Sequence, residues 1–430
     1  MNNDTLESYL ANRYHGSFKP ENAPTVKREY EPACLMKMAE KTGSPIAFKL
    51  PGSPLVNVSG IIAKKEEVYR LLSPRGKPEE AYGTISSFTE SIPYSSEAGD
   101  YSGYTETRDH MVLPWIKFYE KDGGYYLTSS ILVSCIGNEC NASIHRIMLS
   151  DEGHIAIRLV PRHLYYMVKK ARETGRKQPV TIIMGLHPLH MLAAATSPPL
   201  GVFELSHSVK LLGTKLFKSP IHGHPIPKAN VIVEAWIEPY DVEEGPFVDA
   251  MGTYDRVRMQ PRLTIEKIFY RPGKPVQVIL PGGIEHAILM GFPREAMIYQ
   301  SVSRVVPKVH KVTLTPSSGG WLHAVISITK NNDGDGKNAI MAAFAGHPSL
   351  KHVVIVDDDV DPEDLSQVDW AIATRFQADR DLVVIKNARG STLDPSAENG
   401  LTAKMGVDAT KPLSAGETFE KAEIPGCRGA

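Results

Sequence analysis

The spacing of apolar and polar positions predicts a small α/β domain at the start of the chain. Period-two alternation over 45–50 and 55–62 favours strands, and helical spacing favours helices over 32–41 and 65–72. Residues 86–104 are rich in Ser, Gly, Tyr and Glu and keep no sustained period, which is typical of a linker or a loop over a site. We therefore predict that the first domain covers residues 1–108.

The rest of the chain divides into a β-rich part and a mixed part. Strands separated by Gly and Pro dominate residues 109–308, with helical stretches between them, which predicts a β-rich barrel or a split sheet with helical insertions. Strands and helices alternate in residues 309–430, which predicts a C-terminal α/β domain with a tail. The predicted strands are 125–136, 155–160, 180–184, 231–237, 263–269, 276–280, 311–315, 324–328, 352–356 and 381–385. The predicted helices are 163–174, 187–196 and 337–345, and residues 368–375 form an apolar segment. The fold class is α/β (α+β).

Composition and charge narrow the class of protein. The 430 residues are 42% hydrophobic and 23% charged, which is ordinary globular usage and argues against a disordered chain. Lys and Arg number 48 against 49 for Asp and Glu, so no net field attracts nucleic acid or an anionic membrane. The apolar runs are far shorter than the roughly 20 residues of a membrane span, and the first residues lack a signal-peptide pattern. We expect a cytoplasmic protein without nucleic-acid or membrane partners.

The four cysteines are Cys34, Cys135, Cys140 and Cys427. Their density is far below that of a disulfide scaffold, so we expect reduced thiols. Cys135 and Cys140 lie close enough in a strand-like run for a metal or redox pair, which is the less favoured alternative.

Residues 137–146 place amides, a carboxylate, an imidazole and a guanidinium directly after an apolar strand. Such density at a strand end is typical of a site on a rigid scaffold, although a solvated turn explains it equally well. Asn141, together with His163 and Glu204 further along, would give N and O ligands suited to Mn²⁺ or Mg²⁺. Each of the last two residues taken alone is more often structural.

A second candidate is the segment that runs from Glu244 to Asp249 through a Gly-Pro pair. The bend at Gly-Pro lets the two carboxylates converge. Two carboxylates beside one guanidinium divide their roles, because the paired one stays ionised and the other can hold a proton. An acidic surface hairpin is the alternative.

Other motifs are weaker. His222-Gly223-His224 lies between prolines without a nearby carboxylate, so we do not favour a metal pair. The aspartates of 357–361 more plausibly cap the element after Pro362. The chain contains no GxxxxGK[ST] or GxGxxG motif. Basic and hydroxyl side chains that suit a phosphate are Thr214, Lys215, Lys218, Ser219, Lys404 and Lys411.

Taken together, these segments resemble the UbiD family of decarboxylases over residues 110–415. The resemblance rests on Asn141 with Arg146, the Arg162-His163 pair, Glu204 after its proline-rich lead, the segment 244–249 and the Gly-Trp-Leu-His-Ala stretch at 320–324. It implies prenylated FMN as cofactor, a divalent metal, usually Mn²⁺, and K⁺ as a further ion. It also implies an N-terminal α/β domain, a split-barrel flavin domain and a C-terminal α/β domain that builds a homo-oligomer, either a dimer or a hexamer.

The resemblance assigns roles to individual residues. The metal ligands would be Asn141, His163 and Glu204, and the catalytic triad would be Arg146, Glu244 and Asp249. The last position is Asp here, where many relatives have Glu. The residues that would line or bind the flavin are Ile144, His145, Arg146, Arg158, Leu159, Val160, Arg162, His163 and Lys404.

The substrate implied by the resemblance is a small unsaturated carboxylic acid. Residues 245–255, 285–291 and 390–397 look like the compact archaeal branch of the family, which implies a phosphorylated, non-aromatic acid in the mevalonate pathway of isoprenoid synthesis. An aromatic or heteroaromatic acid of the furoate, pyrrole carboxylate or hydroxybenzoate type is the alternative, and a non-catalytic flavin-binding subunit of a carboxylase is a third. A separate flavin prenyltransferase would supply the cofactor.

Overall fold

The computed structural model describes residues 4–419 and residue 422. Its helices are α1 (Leu6–Arg13), α2 (Glu31–Thr42), α3 (Lys65–Leu72), α4 (Pro78–Ser87), α5 (His163–Arg172), α6 (Pro188–Ala195), α7 (Leu205–Leu212), α8 (Ile284–Val302), α9 (Asp335–Gly346), α10 (Leu365–Arg375) and α11 (Ala378–Asp381). No helix in this described part is both long and apolar enough to cross a bilayer.

The strands of the first half are β1 (Ile46–Phe48), β2 (Val56–Ser59), β3 (Ser96–Ala98), β4 (Thr105–Thr107), β5 (Gly124–Ile136), β6 (Glu139–Ser150), β7 (Ile155–Ile157), β8 (Gln178–Met184), β9 (Leu216–Lys218) and β10 (Pro225–Ile226). Those of the second half are β11 (Val231–Glu244), β12 (Phe247–Val248), β13 (Tyr254–Asp255), β14 (Arg258–Tyr270), β15 (Pro275–Gln277), β16 (Lys308–Leu314), β17 (His323–Thr329), β18 (His352–Asp357), β19 (Leu382–Arg389) and β20 (Leu401–Asp408).

The chain forms two compact units, Met1–Pro293 and Arg294–Ala430. In the first unit, strands β11, β8, β5, β6, β7 and β14 pair in that order, and β14 pairs again with β11. This second pairing closes the sheet into an antiparallel barrel, with β4 added beside β14. The predicted barrel is therefore confirmed.

Period-two alternation fills the barrel because every second side chain of each strand points inward. The buried cluster of strand residues includes Leu132, Ile147, Ile182, Val233 and Leu263, each no more than 2% exposed. A second apolar cluster lies on the other side of strands β5 and β6, where Tyr126 and Met148 pack with side chains of the N-terminal region. Strand β6 thus separates two differently packed environments.

The first hundred residues add helices and a small sheet to this unit. Strands β1 and β2 pair antiparallel, and β15 joins β2 in parallel. The predicted helices over 32–41 and 65–72 match α2 and α3. The separation of residues 1–108 as an independent domain stays a prediction.

The C-terminal unit contains a five-stranded sheet in the order β16, β17, β18, β20, β19. The two central pairings are parallel and the two outer pairings antiparallel. Buried side chains of β17, β18 and β20 pack with Val368 and Ala371 of α10. The predicted α/β character of this region is confirmed.

Two expectations about local structure were wrong. Cys135 and Cys140 are not separate thiols but form a disulfide, because they face each other at the end of the β5–β6 hairpin. Cys34 is free and exposed, and Cys427 lies outside the described residues. The aspartates of 357–361 do not cap α10: Asp357 and Asp359 pair with Arg375, and Asp364 caps the helix.

Candidate active site

A buried guanidinium lies where two strands of the barrel meet a short hairpin. Arg146 projects from β6, opposite a bulge in β5 between Leu127 and Ser130. Glu244 is the last residue of β11, and Asp249 follows the short strand β12. Bulges re-aim side chains next to sites of this kind. The fold therefore brings Arg146 beside two carboxylates that lie about a hundred positions further along the chain.

The contacts of Arg146 differ in strength. Its Nε and Nη2 donate to the two carboxylate oxygens of Glu244 at 2.8 and 2.9 Å, in a bidentate pair. Asp249 is more distant, with its Oδ2 3.7 Å from Nη1. The side chain of Glu244 is fully buried, whereas that of Asp249 is 25% exposed. Glu244 holds the guanidinium, and Asp249 is the carboxylate that a substrate can reach.

Electrostatics keep this guanidinium charged. Burial alone would lower the pKa of Arg146, but Glu244 and Asp249 outweigh it and raise the pKa above its ordinary value. The ring of Phe247 lies under the guanidinium, 4.5 Å from its centre, and excludes water from that face. Arg146 is thus a permanent, oriented cation.

The segment that carries Asp249 is supported by close backbone packing. Gly123 donates its N–H to the carbonyl of Pro246 at 2.8 Å, and the hydroxyl of Tyr126 donates to the same carbonyl at 3.1 Å. A Cβ on Gly123 would lie 1.9 Å from the carbonyl oxygen of Gly245, so only glycine fits. The Gly245–Pro246 bond is cis. The predicted convergence of Glu244 and Asp249 through the Gly-Pro bend is confirmed.

His286, which sequence reasoning missed, belongs to the same neighbourhood. Its Nδ1 accepts from the N–H of Gly282 at 3.1 Å, so the remaining ring proton lies on Nε2. A Cβ on Gly282 would lie 3.2 Å from the carbonyl oxygen of Asp249, so the turn at Gly282 packs directly against the backbone of Asp249. Burial lowers the pKa of His286, and Asp249 opposes that change. Residues 285–291 were noted from the sequence only for their resemblance to relatives, and no pattern in that stretch assigned a role to His286.

Asn141 and Glu204 form a second buried pair. The Nδ2 of Asn141 donates to one carboxylate oxygen of Glu204 at 2.6 Å, and the N–H of Ala142 donates to the other at 2.7 Å. Glu204 is 2% exposed, and burial raises its pKa to about 7. Among the described residues, no Lys or Arg forms an ion pair with Glu204. A buried carboxylate of this kind needs a cation or a proton.

The third predicted ligand, His163, begins helix α5. Burial lowers its pKa and the neighbouring Arg162 adds to the effect, so the neutral imidazole, which is the metal-binding form, is favoured. The structure gives it no direct contact with Asn141 or Glu204. Since the structure contains no metal, the joint ligand set stays a prediction.

The predicted flavin-lining residues cluster around the same strands. The N–H of Arg158 donates to the carbonyl of Arg146 at 3.2 Å, and the ring of His145 contacts the carbonyl of Arg158. Burial lowers the pKa of Arg158 and of Arg162. Ile144 is half-buried on β6, Leu159 is buried and Val160 is 40% exposed. Neither Arg158 nor Arg162 makes an ion pair with a carboxylate among the described residues, which suits an anionic phosphate.

The remaining candidates are engaged elsewhere. Lys404 lies in the C-terminal unit, where its Nζ donates to the carbonyls of Pro348 and Leu350. His222 and His224 bind the carbonyl of Ala235 and the hydroxyl of Thr181 respectively. Lys215 forms an ion pair with Glu97 at 2.6 Å. No cluster of three His, Cys, Asp or Glu side chains suited to a metal occurs in the described part of the chain.

The donor set fits the groups that the sequence led us to expect. A buried carboxylate beside an amide matches the oxygen ligands that Mn²⁺ and Mg²⁺ prefer, and the cation would neutralise Glu204. Two guanidiniums without carboxylate partners match the phosphate of a flavin nucleotide. Both groups are therefore compatible with these residues.

Comparison with known proteins assigns the class. Residues 101–284 match the Rift-related domain, and residues 287–409 the C-terminal domain, of the 3-octaprenyl-4-hydroxybenzoate carboxy-lyase family, UbiD. The chain therefore belongs to the UbiD family and is a carboxy-lyase enzyme. This confirms the family, fold class and enzyme class expected from the sequence.

Individual relatives are similar over most of their length. An anhydromevalonate phosphate decarboxylase of Aeropyrum pernix is 50% identical over 406 residues, covering 94% of this chain and 92% of the relative. An enzyme of the same name from Methanocaldococcus jannaschii is 48% identical, covering 72% and 74% of the two chains. The solved UbiD-class enzyme HmfF of Pelotomaculum thermopropionicum, in complex with FMN, matches with a TM-score of 0.90 and 32% identity over 98% of both chains. An evolved dimeric form of HmfF contains prenylated FMN.

Proposed function

We propose that this enzyme decarboxylates trans-anhydromevalonate 5-phosphate to isopentenyl phosphate and CO₂. The names of the relatives from A. pernix and M. jannaschii support this substrate. The observation that carries the proposal is the buried Arg146, held by Glu244, with Asp249 beside its open edge. That arrangement provides a carboxylate-binding cation and a proton donor within one cluster.

Loss of CO₂ from an sp² carbon leaves an electron pair that side chains cannot accept. Prenylated FMN, when bound, supplies the electron sink. We propose that Arg158 and Arg162 bind its phosphate and that Ile144, Leu159 and Val160 contribute apolar contacts. A flavin prenyltransferase provides the cofactor, and K⁺ is a further ion of the site.

The protein's own residues then orient the acid and deliver the proton. The Nη1 edge of Arg146 binds the substrate carboxylate, because Nε and Nη2 are already engaged by Glu244. Asp249 Oδ2 lies 3.7 Å from Nη1 and so stands beside the carbon that loses CO₂. Asp249 delivers its proton to that carbon and is reprotonated from solvent, to which it is partly exposed.

Asn141, His163 and Glu204 hold Mn²⁺ in this proposal. The metal would neutralise Glu204, whose carboxylate is buried without a cationic partner. We further propose a cytoplasmic homo-oligomer, a dimer or a hexamer. The existence of an evolved dimeric form of HmfF is compatible with assembly through this fold.

The proposal is tested by a turnover assay on protein coexpressed with a flavin prenyltransferase and checked by mass spectrometry for bound prenylated FMN. The substrates compared are trans-anhydromevalonate 5-phosphate, furoate, pyrrole carboxylate and hydroxybenzoate. We expect CO₂ release from the phosphorylated acid alone. Turnover of ring acids alone would instead assign the enzyme to aromatic metabolism, and loaded protein without any turnover would favour a non-catalytic subunit.

A further inference from the structure

A third carboxylate, outside the triad, contacts the catalytic guanidinium. Asp255 Oδ2 lies 3.3 Å from Nη2 of Arg146, and the side chain of Asp255 is 15% exposed. Burial would raise the pKa of Asp255, but Arg258 and Arg146 outweigh it and lower the pKa. Asp255 is therefore a stable anion at neutral pH.

Asp255 is itself fixed in place. Arg258 donates to its carboxylate at 2.5 Å, and the N–H of Arg256 donates to Oδ1 at 2.9 Å. In the β11–β14 ladder Arg258 is the register partner of Glu244. The two carboxylates that hold Arg146 are thus anchored at the same end of the barrel.

Asp255 also connects the guanidinium of Arg146 to the β12–β13 hairpin, which carries Asp249. Asp255 pairs with Phe247 across strands β12 and β13, and Phe247 lies under the guanidinium. Asp249 lies in the turn that connects these two strands, where Gly252 donates its N–H to the carbonyl of Asp249. A contact at the base of this hairpin therefore sets how Arg146 and Asp249 face each other.

The hydrogen-bond count of Arg146 shows what this contact does. A guanidinium has five N–H groups, one on Nε and two on each terminal nitrogen. Glu244 accepts hydrogen bonds from the Nε–H and from one N–H of Nη2. Asp255 accepts a hydrogen bond from Nη2 as well, which accounts for its second N–H. The Nη1 edge alone stays open, toward Asp249.

We infer that Asp255 is a positioning residue that holds Arg146 with its Nη1 edge toward the substrate carboxylate and Asp249. This inference rests on the proposed function of the site, since Arg146 is taken to bind the carboxylate of an acid. Without Asp255, the guanidinium of Arg146 would keep its bidentate pair with Glu244 but could tilt relative to that carboxylate. Asp255 acts through Arg146 and does not touch the substrate.

The test compares Asp255→Asn and Asp255→Ala with the loaded wild-type enzyme. Hydrogen bonds to charged groups contribute enough that we expect kcat/KM to fall about 10- to 100-fold in Asp255→Ala, and less in Asp255→Asn, which retains an acceptor oxygen. Asp241→Asn is the matched control, because Asp241 also pairs with an arginine of the barrel unit, Arg172, but does not contact Arg146. We expect the control to retain wild-type kinetics.

A double-mutant cycle separates positioning from a general structural role. If Asp255 acts through Arg146, then Asp255→Asn should change kcat/KM less than about 3-fold in an Arg146→Lys background, because the contact has already been lost. An equal effect of Asp255→Asn in both backgrounds would overturn the inference. So would wild-type kinetics in Asp255→Ala.

Crystal structures of wild type and Asp255→Ala provide a readout that does not depend on the substrate. We expect the Nη1 edge to turn away from Asp249 in the variant. An unmoved guanidinium would overturn the inference even if trans-anhydromevalonate 5-phosphate proves to be the substrate. A displaced guanidinium would support it even if another acid is turned over.

Discussion

Two buried polar clusters on strand β6 differ in how their charges are balanced. Arg146 is surrounded by the carboxylates of Glu244, Asp249 and Asp255, so the protein supplies both signs of charge itself. The pair of Asn141 and Glu204 contains a buried carboxylate but no cation. Because side chains alternate along a strand, residues 141 and 146 point to opposite faces of β6.

This difference indicates which of the two clusters has its charges balanced by protein side chains alone. In the proposed mechanism, the preformed Arg146 cluster orients an anion and delivers a proton. The Asn141–Glu204 pair lacks a positive charge, and a buried carboxylate without a cationic partner is costly until a cation or a proton binds. One face of the strand thus holds the proposed catalytic groups, and the other holds the proposed ligands of the metal.

The strongest test on the Arg146 side is Asp249→Asn. This change keeps the shape of the side chain but removes the proton. A positioned acid contributes typically 10²–10⁴-fold, so we expect kcat to fall by that factor, or roughly 3–5 kcal/mol in the barrier. The measurement is steady-state CO₂ release by loaded enzyme with verified cofactor content. Near-normal turnover would remove Asp249 from the mechanism.

The matching change on the other face is Glu204→Gln. Removing one partner of a buried charge pair costs about 3–5 kcal/mol, so we expect Mn²⁺ to bind roughly 10²- to 10⁴-fold more weakly. Metal content after dialysis and Mn²⁺ titration followed by electron paramagnetic resonance measure this. Glu238→Gln is a suitable control, because Glu238 is buried but paired with Lys177. Equal Mn²⁺ affinity in wild type and Glu204→Gln would contradict the contrast between the two faces.

A smaller effect is expected from Gly123→Ala, which disturbs the support of the acid segment. The new methyl group would overlap the carbonyl of Gly245, and overpacking of this kind typically costs about 1–3 kcal/mol. Gly103→Ala is the control, because nothing lies within 4 Å of a Cβ at that position. Chemical unfolding measures both changes. Equal stability of the two variants would show that the 245–249 segment is not held as described.

The smallest expected effect concerns His190 on helix α6, which packs against the helix that follows Glu204, α7. Burial lowers the pKa of His190 to about 3, and its Nδ1 contacts the hydroxyl of Ser208 on α7. The folded state therefore binds fewer protons than the unfolded state between pH 6.5 and 3. Stability should fall as the pH drops below 6.5, by up to about 1.4 kcal/mol per pH unit for this group.

Unfolding curves between pH 5 and 8 of wild type and His190→Asn measure this dependence. The variant should lose part of the slope below pH 6.5, while other buried histidines such as His224 retain theirs. An identical slope in the two proteins would show that His190 does not contribute.

Much of this architecture follows from local sequence patterns. The alternation that predicted strands over 125–136 and 231–237 reflects a barrel whose every strand buries one face, and β5 and β11 occupy those positions. Helix α3 matches its predicted bounds because its apolar spacing is strongly amphipathic. The Gly-Pro bend likewise predicted the approach of Glu244 and Asp249.

Other features depend on contacts between distant segments. Residues 139–150 form a long strand, although the polar run from 137 to 146 reads equally well as a turn, because polar side chains here face a site instead of solvent. The disulfide of Cys135 and Cys140 depends on strand register, which spacing alone does not reveal. Asp255 and His286 became visible only when the structure placed them beside Arg146 and Asp249.

The most direct test of the central claim counts CO₂ and protonated product separately in a single turnover of loaded Asp249→Asn. If Asp249 donates the proton after CO₂ has left, the variant should release up to one CO₂ per active site and far less protonated product. Wild-type enzyme should release both in equal amounts. Equal and undiminished release of both by the variant, or release of neither, would contradict the assignment of Asp249 as the proton donor.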